Sequence, residues 1–205
     1  KSEISKFLLA AMLAGGHVLI EDVPGVGKTL LAETLARSVS GSFGRIQFTP
    51  DLMPSDVIGY TSIDMSTGKS EYKEGAAMCN FLLADEINRT SPKVQSALLE
   101  AMEEKQISVD GVTHRLPVPF MTLATQNPIE TYGTYHLPEA QLDRFLMRLS
   151  IGYPDRAAEM AMLDIMPQDR SVSAVMSIEE LLELRERAEQ VTVSEPVKAY
   201  ILSSV

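Results

Sequence analysis

The fold of this chain is decided by residues 22–29, which read DVPGVGKT. They follow an apolar run at 17–20 that is typical of a strand, and they precede residues 30–39, where apolar side chains recur at helical spacing. Glycines let a loop turn its backbone N–H groups inward, and the start of a helix adds partial positive charge. The pattern therefore predicts a phosphate-binding loop between a strand and a helix.

Two side chains of this loop carry the predicted chemistry. We expect Lys28 to reach the β- and γ-phosphates of a nucleotide and Thr29 to ligate magnesium. The other predicted nucleotide contacts come from the loop and the helical turn after it, at Pro24, Gly25, Val26, Gly27 and Leu30. The strict motif has glycine six residues before the lysine, where this chain has Asp22. A plain glycine-rich turn is the alternative, but the strand–loop–helix context favours phosphate binding.

A second apolar run, at 81–84, ends in the acidic pair Asp85 and Glu86. A buried parallel strand that ends in acids places them at the carboxyl edge of the sheet, where open α/β sheets bind ligands. We expect Asp85 to hold magnesium and Glu86 to polarise an attacking water. A solvated strand end is the alternative for an isolated pair, and the phosphate-binding loop in the same chain argues against it.

A third apolar run, at 120–124, is followed by Thr125, Gln126, Asn127 and Pro128. An amide at this strand end could bond the γ-phosphate or orient the water. From the pattern alone a turn is favoured, because Asn-Pro is common in turns.

The order of segments predicts an α/β fold in which a parallel sheet is the middle of three layers. This core is assigned to residues 1–154, and an incomplete helical domain to residues 155–205. Hairpins are expected at 60–75 and 106–115, and a helix at 137–149.

The two ends of the chain both lie within helical patterns. The first residue is Lys1, not methionine, so we interpret the chain as a fragment of a longer protein. In the helical part, Ser177 and Glu180 have the spacing of a capping box, which predicts that a helix begins there. The boundary with the core is placed at residues 152–154, where Gly-Tyr-Pro interrupts the pattern.

The amino-acid composition of the chain limits the kinds of function that it can have. The chain has 205 residues, 45% hydrophobic and 22% charged, with a net charge of −10 and a pI near 4.8. Such a chain is globular and a poor candidate for nonspecific nucleic-acid binding, which needs clustered Lys and Arg. No apolar run reaches the roughly 18 residues that a membrane span requires.

The cysteine is predicted to be structural, and the three histidines are predicted to be structural or exposed. The single cysteine, Cys79, excludes an intrachain disulfide and is expected to be a small buried apolar residue. The histidines, His17, His114 and His136, lack the spacing of metal ligands.

Together these segments resemble AAA+ ATPases of the P-loop NTPase class, and within them the MoxR family. The resemblance rests on five stretches in the family's order, at 21–29, 45–52, 83–89, 124–130 and 137–145. The last three are more specific than the phosphate-binding loop, which unrelated enzymes share. Asp22 is usual in this family.

The resemblance implies a role for each matching residue, with ATP and Mg²⁺ as cofactors. Gly27, Lys28 and Thr29 match the end of the Walker A motif. Asp85 and Glu86 match Walker B, with Glu86 as the catalytic glutamate.

Two further matches concern the γ-phosphate and the neighbouring subunit. Asn127 matches sensor 1, and Arg144 matches an arginine finger that acts on the ATP of the next subunit. A salt bridge within the subunit, to Asp143 or Glu139, is the alternative for Arg144. A finger acting between subunits implies a ring of like subunits, which we expect to be a hexamer.

The resemblance also implies a cytoplasmic, chaperone-like remodeller that aids maturation or cofactor insertion of a client protein. A partner carrying a von Willebrand A domain is expected. The hairpins at 60–75 and 106–116 correspond to inserts that project into the ring pore in related proteins, with surface decoration as the alternative. The chain ends before the family's sensor 2 arginine.

Two other functions remain open from the sequence. One is a nucleic-acid motor of the same clade, against which the acidic charge argues. The other is a nucleotide switch without hydrolysis, against which the presence of Glu86 argues.

Overall fold

Strands and helices alternate along most of the computed structural model, which describes residues 2–21, 26–127, 133–152, 160 and 172–203. The strands of this described part are β1 His17–Glu21, β2 Phe43–Gln47, β3 Tyr60–Ile63, β4 Ser70–Lys73, β5 Phe81–Asp85, β6 Gln106–Val109, β7 Val112–Arg115, β8 Met121–Gln126 and β9 Phe145–Leu149. Its α-helices are α1 Ser2–Ala14, α2 Lys28–Ser38, α3 Pro54–Ile58, α4 Pro92–Glu104, α5 Glu139–Leu142, α6 Ile178–Glu189 and α7 Glu195–Ser203, with a short 3₁₀ helix at Ile87–Arg89.

A five-stranded parallel sheet with the order β2-β5-β8-β1-β9 forms the middle layer. Strand β5 is buried along its whole length, as a parallel strand covered on both faces must be. Its side chains alternate between two cores: Leu82 packs with α4, and Leu83 packs with α1 and α2. The predicted α/β fold with helices on both faces of a parallel sheet is therefore confirmed.

The prediction of a single helix at 137–149 is wrong. The structure has the four-residue helix α5 and then the strand β9, which pairs with β1 so that Phe145 lies opposite His17. Side chains of β9 alternate between buried or half-buried and exposed positions. The apolar spacing fits a helix as well as a strand, and the open edge of β1 decides between them because it offers a partner for hydrogen bonding.

Both predicted hairpins are present. Strands β3 and β4 pair antiparallel, as do β6 and β7, which turn at Asp110 and Gly111 with φ of 50° and 78°. Positive φ at both turn residues is the geometry that two-residue hairpins favour. The two hairpins meet where the rings of Tyr72 and His114 stack with centroids 3.8 Å apart.

Helix α6 begins at the predicted capping box. The Ser177 N–H donates to the Glu180 carboxylate at 2.7 Å, and the Glu180 N–H donates to the Ser177 hydroxyl at 3.2 Å. Helix α6 buries Leu181 in the core beside α1, and Arg185 Nε donates to the Met12 carbonyl at 2.8 Å. Tyr153 and Pro154, at the predicted boundary, lie outside the described residues, so the division at 154 stays a prediction.

Candidate functional site

The predicted site residues lie at one edge of the sheet. Strand β8 pairs in parallel with both β1 and β5, so the carboxyl ends of these three strands lie at the same edge of the sheet. The segment between β1 and α2 leaves this edge, and Asp85, Glu86 and Asn127 stand at or just after the ends of β5 and β8. The predicted contacts Pro24 and Gly25 lie outside the described residues.

The described end of the phosphate-binding loop has the conformation that glycine permits. Gly27 caps the start of α2 with a left-handed φ of 91°, a conformation that residues with a β-carbon rarely adopt. Lys28 is 8% exposed and Val26 is 6% exposed, whereas Leu30 is 47% exposed and lies outside the core. A left-handed glycine is therefore followed by a buried lysine at a helix N-terminus, where an anion is favoured.

Asp85 is held from two sides. Its Oδ2 accepts a hydrogen bond from Arg45 Nη2 at 3.0 Å, and its Oδ1 accepts one from the Thr125 hydroxyl at 2.7 Å. The same hydroxyl oxygen accepts the Glu86 backbone N–H at 2.8 Å. One fully buried threonine thus connects the two acids that the sequence singled out.

Glu86 has an unusual backbone and a restrained carboxylate. Its φ and ψ of 59° and 50° are left-handed, which is uncommon outside glycine. Its Oε2 accepts from Gln47 Nε2 at 2.7 Å and pairs with Arg89 Nε at 3.3 Å. The carboxylate is therefore oriented by a residue of β2 and by one in the 3₁₀ helix that follows β5.

The ends of β8 and β1 carry a second polar group. Asn127 is 6% exposed, and its carbonyl accepts from Asn88 Nδ2 at 3.4 Å. The Gln126 amide donates to Glu21, and Arg148 Nε of β9 lies 3.2 Å from the other oxygen of the Glu21 carboxylate. Polar contacts therefore run across the carboxyl edge from β8 to β9.

Arg144 lies away from these residues. It directly precedes β9, at the amino edge of the parallel sheet, whereas Asp85 and Glu86 are at the carboxyl edge. Its guanidinium pairs with Glu103 of α4 at 2.7 Å and not with Asp143 or Glu139, the partners considered from the sequence. The structure therefore does not bring Arg144 together with the other predicted site residues of its own chain.

Sequence reasoning missed Arg45, Gln47, Arg89 and Thr125 as partners of the acids. Arg45 and Gln47 fall on the same side of β2, two residues apart. Thr125 was visible as the first polar residue at the end of an apolar strand, but only the register of β8 against β5 places it beside Asp85.

The donor set fits a magnesium nucleotide. A carboxylate at Asp85 and a hydroxyl at Thr29 are hard oxygen ligands of the type that Mg²⁺ prefers, and Mg²⁺ usually completes its shell with phosphate oxygens and water. Among the residues that the structure describes, no three His, Cys, Asp or Glu side chains gather as a separate metal site.

Cys79 and His17 are buried structural residues, as predicted. Burial raises the pKa of the Cys79 thiol to about 11, and burial lowers the pKa of His17 to about 4. The His17 ring is bonded on both sides: Nδ1 accepts from the Thr122 N–H, and Nε2 lies 3.2 Å from the Met102 carbonyl.

The parallel sheet, the glycine-capped helix and the acids at the strand ends are features typical of nucleotide-binding α/β proteins. A family model described as the ATPase family associated with various cellular activities (AAA) matches residues 17–147. The chain belongs to this family, in its MoxR branch, which confirms the resemblance drawn from the motifs.

Three relatives illustrate the match. The chain is 50% identical to the uncharacterized protein YeaC of Bacillus subtilis and 45% identical to the chaperone MoxR1 of Mycobacterium tuberculosis. Both alignments cover 100% of this chain, but 65% and 55% of those proteins. A crystal structure of a presumed ATPase from Cytophaga hutchinsonii superposes with a TM-score of 0.87 at 45% identity, covering 98% of this chain and 62% of that one. The chain thus spans less than two thirds of the length of these relatives.

None of the helices in the described part of the chain has the length and apolarity needed to cross a membrane.

Proposed function

We propose that this chain is the ATP-binding and ATP-hydrolysing part of a MoxR-type AAA+ machine. The observation that carries the proposal is the arrangement of Asp85 and Glu86, which are bridged by one buried hydroxyl at the same sheet edge from which the phosphate-binding loop departs. If the two acids had only a structural role, the phosphate-binding loop at the same edge would be left unexplained. The arrangement fits phosphoryl transfer, in which catalysis consists of positioning and charge stabilisation.

Lys28 and the backbone N–H groups of residues 25–29 hold the β- and γ-phosphates of ATP in this proposal. Leu30 adds a contact from the first turn of α2. Thr29 and Asp85 hold Mg²⁺, which when bound neutralises charge on the β- and γ-phosphate oxygens. The buried position of Lys28 at the N-terminus of α2 supports this role, because a helix N-terminus favours an anion.

Glu86 orients the attacking water and accepts its proton. The carboxylate is held by Gln47 and Arg89, so the base reaches the water from a restrained starting position. Asn127 contacts the γ-phosphate from the end of β8, where its burial limits the positions of the amide.

Arg144 acts on the ATP of a neighbouring subunit. Strand β9 has five residues and spans roughly 16 Å, which separates Arg144 from the carboxyl edge of its own sheet. A guanidinium contributed by a neighbour stabilises charge on the transferring phosphoryl group. A head-to-tail contact of this kind closes into a ring, for which we propose six subunits.

The work done with ATP is proposed to be chaperone-like remodelling of a client protein. MoxR1 of Mycobacterium tuberculosis, a relative at 45% identity, is called a chaperone. Maturation or cofactor insertion of the client, and a von Willebrand A-domain partner, belong to this proposal. The stacked rings of Tyr72 and His114 join the two hairpins into one surface that could contact client or partner. Because the proposed reaction consumes ATP, we place the protein in the cytoplasm.

The proposal is tested by ATP turnover of the full-length protein with and without Glu86→Gln. We expect turnover to fall about a hundredfold or more while nucleotide binding persists, since the amide cannot accept the proton. Glu183→Gln, an exposed carboxylate of α6, serves as the matched control and should change nothing. Binding without turnover in the unsubstituted protein would indicate a nucleotide switch, and strong stimulation by DNA would indicate a nucleic-acid motor.

A further inference from the structure

The hydroxyl of Thr125 makes two hydrogen bonds of opposite direction. It donates its proton to Asp85 Oδ1 at 2.7 Å, because an ionised carboxylate can only accept. Its oxygen accepts the Glu86 N–H at 2.8 Å, because a backbone amide can only donate. The orientation of this hydroxyl is therefore determined by its two partners, and each partner is in turn fixed by the same atom.

The strand order and register of the sheet place this hydroxyl beside Asp85. Strand β8 lies between β5 and β1, and Ala124 is in register with Ala84, so Thr125 stands beside Asp85. Thr125 is fully buried, which removes water as a substitute partner. Without the hydroxyl, a carboxylate oxygen and a backbone N–H would both lose a partner in a buried position, and such losses are costly.

The backbone of Glu86 needs support of this kind. Its left-handed conformation is unfavourable for a residue with a β-carbon and persists only where neighbouring groups hold it. The bond from the Glu86 N–H to Thr125 is one of those restraints. It acts on the main chain, whereas Gln47 and Arg89 act on the carboxylate.

We propose that Thr125 is a positioning residue for phosphoryl transfer, which couples the orientation of the magnesium-binding carboxylate of Asp85 to the backbone conformation of Glu86. The inference rests on the proposed function for its catalytic consequence. The structural part of the proposal is that one hydroxyl fixes both acids, and this part can be tested without nucleotide.

Two pairs of variants isolate the hydroxyl. Thr125→Val keeps the branched shape and removes the hydroxyl, and Thr125→Ser keeps the hydroxyl and removes the methyl group. Thr125→Ala is compared with Thr125→Ser if the valine variant does not fold. The control is Thr122→Val on the same strand, because Thr122 is also fully buried and its hydroxyl has no hydrogen-bond partner within the described part of the chain.

The first readout is amide hydrogen exchange at Glu86 in the absence of nucleotide. We expect exchange to be at least about tenfold faster in Thr125→Val and Thr125→Ala, and near the unsubstituted rate in Thr125→Ser and Thr122→Val. Equal exchange in all four variants would overturn the inference, because the Glu86 N–H would then not depend on the hydroxyl.

The second readout is ATP turnover of the full-length protein as a function of Mg²⁺. Loss of the hydroxyl should lower kcat roughly 10- to 100-fold and raise the Mg²⁺ concentration at half-maximal rate roughly tenfold, with KM for ATP little changed. Turnover and Mg²⁺ requirement in Thr125→Val that match Thr122→Val would overturn the inference. An unsubstituted protein without turnover would instead contradict the proposed function, and the exchange measurement would still decide whether Thr125 fixes Glu86.

Discussion

Arg144 is bound to a single oxygen of Glu103 by two of its nitrogens, Nε at 2.8 Å and Nη2 at 2.7 Å. Its Nη1 donates to the Ala140 carbonyl at 3.1 Å. These contacts, from α4 and α5, fix the plane of the guanidinium at the amino edge of the sheet. In the ring that we propose, Glu103 would hold Arg144 in one orientation toward the neighbouring subunit, which would lower the entropy cost of using this side chain.

Glu103→Ala is expected to lower ATP turnover by about twofold to fivefold. The pair is partly exposed, and such pairs contribute up to about 1 kcal/mol. The loss should vanish in the Arg144→Ala background, because Glu103 then has no guanidinium to orient. Glu104→Ala, an exposed carboxylate next in sequence, is the control. Steady-state turnover of the full-length single and double variants measures the coupling, and an undiminished loss beside Arg144→Ala would contradict it.

The sheet could be predicted from sequence where strands are buried on both faces. Strand β5 is a continuous apolar run, and β8 is apolar apart from Thr122 until both strands end in polar residues; no helix of normal length fits such short runs. The edge strand β9 could not be predicted, because the apolar positions 142, 145, 146 and 149 also fit a helix. The decision depends on pairing with β1, which lies more than a hundred residues earlier in the chain.

The same limit applies to the candidate site, where only residues at the end of a recognisable strand could be predicted. Asp85 and Glu86 follow directly from a strand end, because the carboxyl edge of a parallel sheet is where ligands bind. Arg45, Gln47 and Thr125 could not be found in this way. Each comes from a neighbouring strand, so its contact with an acid depends on strand order and register, which local sequence does not contain.

His17 is expected to make the fold sensitive to acid. The Thr122 N–H donates to Nδ1, so the neutral ring carries its proton on Nε2 and protonation of Nδ1 would break this bond. Burial is the main cause that lowers the pKa from 6.5 to about 4, the charges of Lys105 and Arg185 lower it further, and the Met102 carbonyl opposes them. Between pH 6.5 and about pH 4, His17 is protonated in the unfolded chain but stays neutral in the native protein. Stability is therefore full above about pH 6.5 and is lost as the pH falls toward 4.

The lost free energy of unfolding is about 3 kcal/mol for a pKa shift of this size. Urea unfolding at about pH 7 and about pH 4 should show that His17→Gln has a smaller pH dependence by that amount, although it is less stable at the higher pH. The exposed His136 gives the control, His136→Gln, which should retain the full dependence. The account of His17 is wrong if the two variants lose stability equally on acidification.

Arg185 is expected to fasten α6 to the core. Its guanidinium is half-buried and donates to the Met12 carbonyl in the last turn of α1, where a cation is favoured by the helix dipole. Arg185→Ala should lower the free energy of unfolding by about 1.5–3 kcal/mol, which is typical for a hydrogen bond from a charged group. Arg187→Ala, on the exposed side of the same helix, should stay within about 0.5 kcal/mol. Thermal unfolding of both variants makes the comparison, and equal losses would show that Arg185 does not anchor the helix.

The most direct test of the central claim, that ATP is hydrolysed at a site shared by two subunits, is a mixing experiment with Glu86→Gln and Arg144→Ala proteins. Each should be nearly inactive alone, because every site lacks one of the two groups. In an equal mixture, about a quarter of the interfaces pair an intact Glu86 with an intact Arg144 from the neighbour, so turnover should recover to about a quarter of the unsubstituted rate. No recovery at any mixing ratio, or full activity of Arg144→Ala alone, would contradict a shared site.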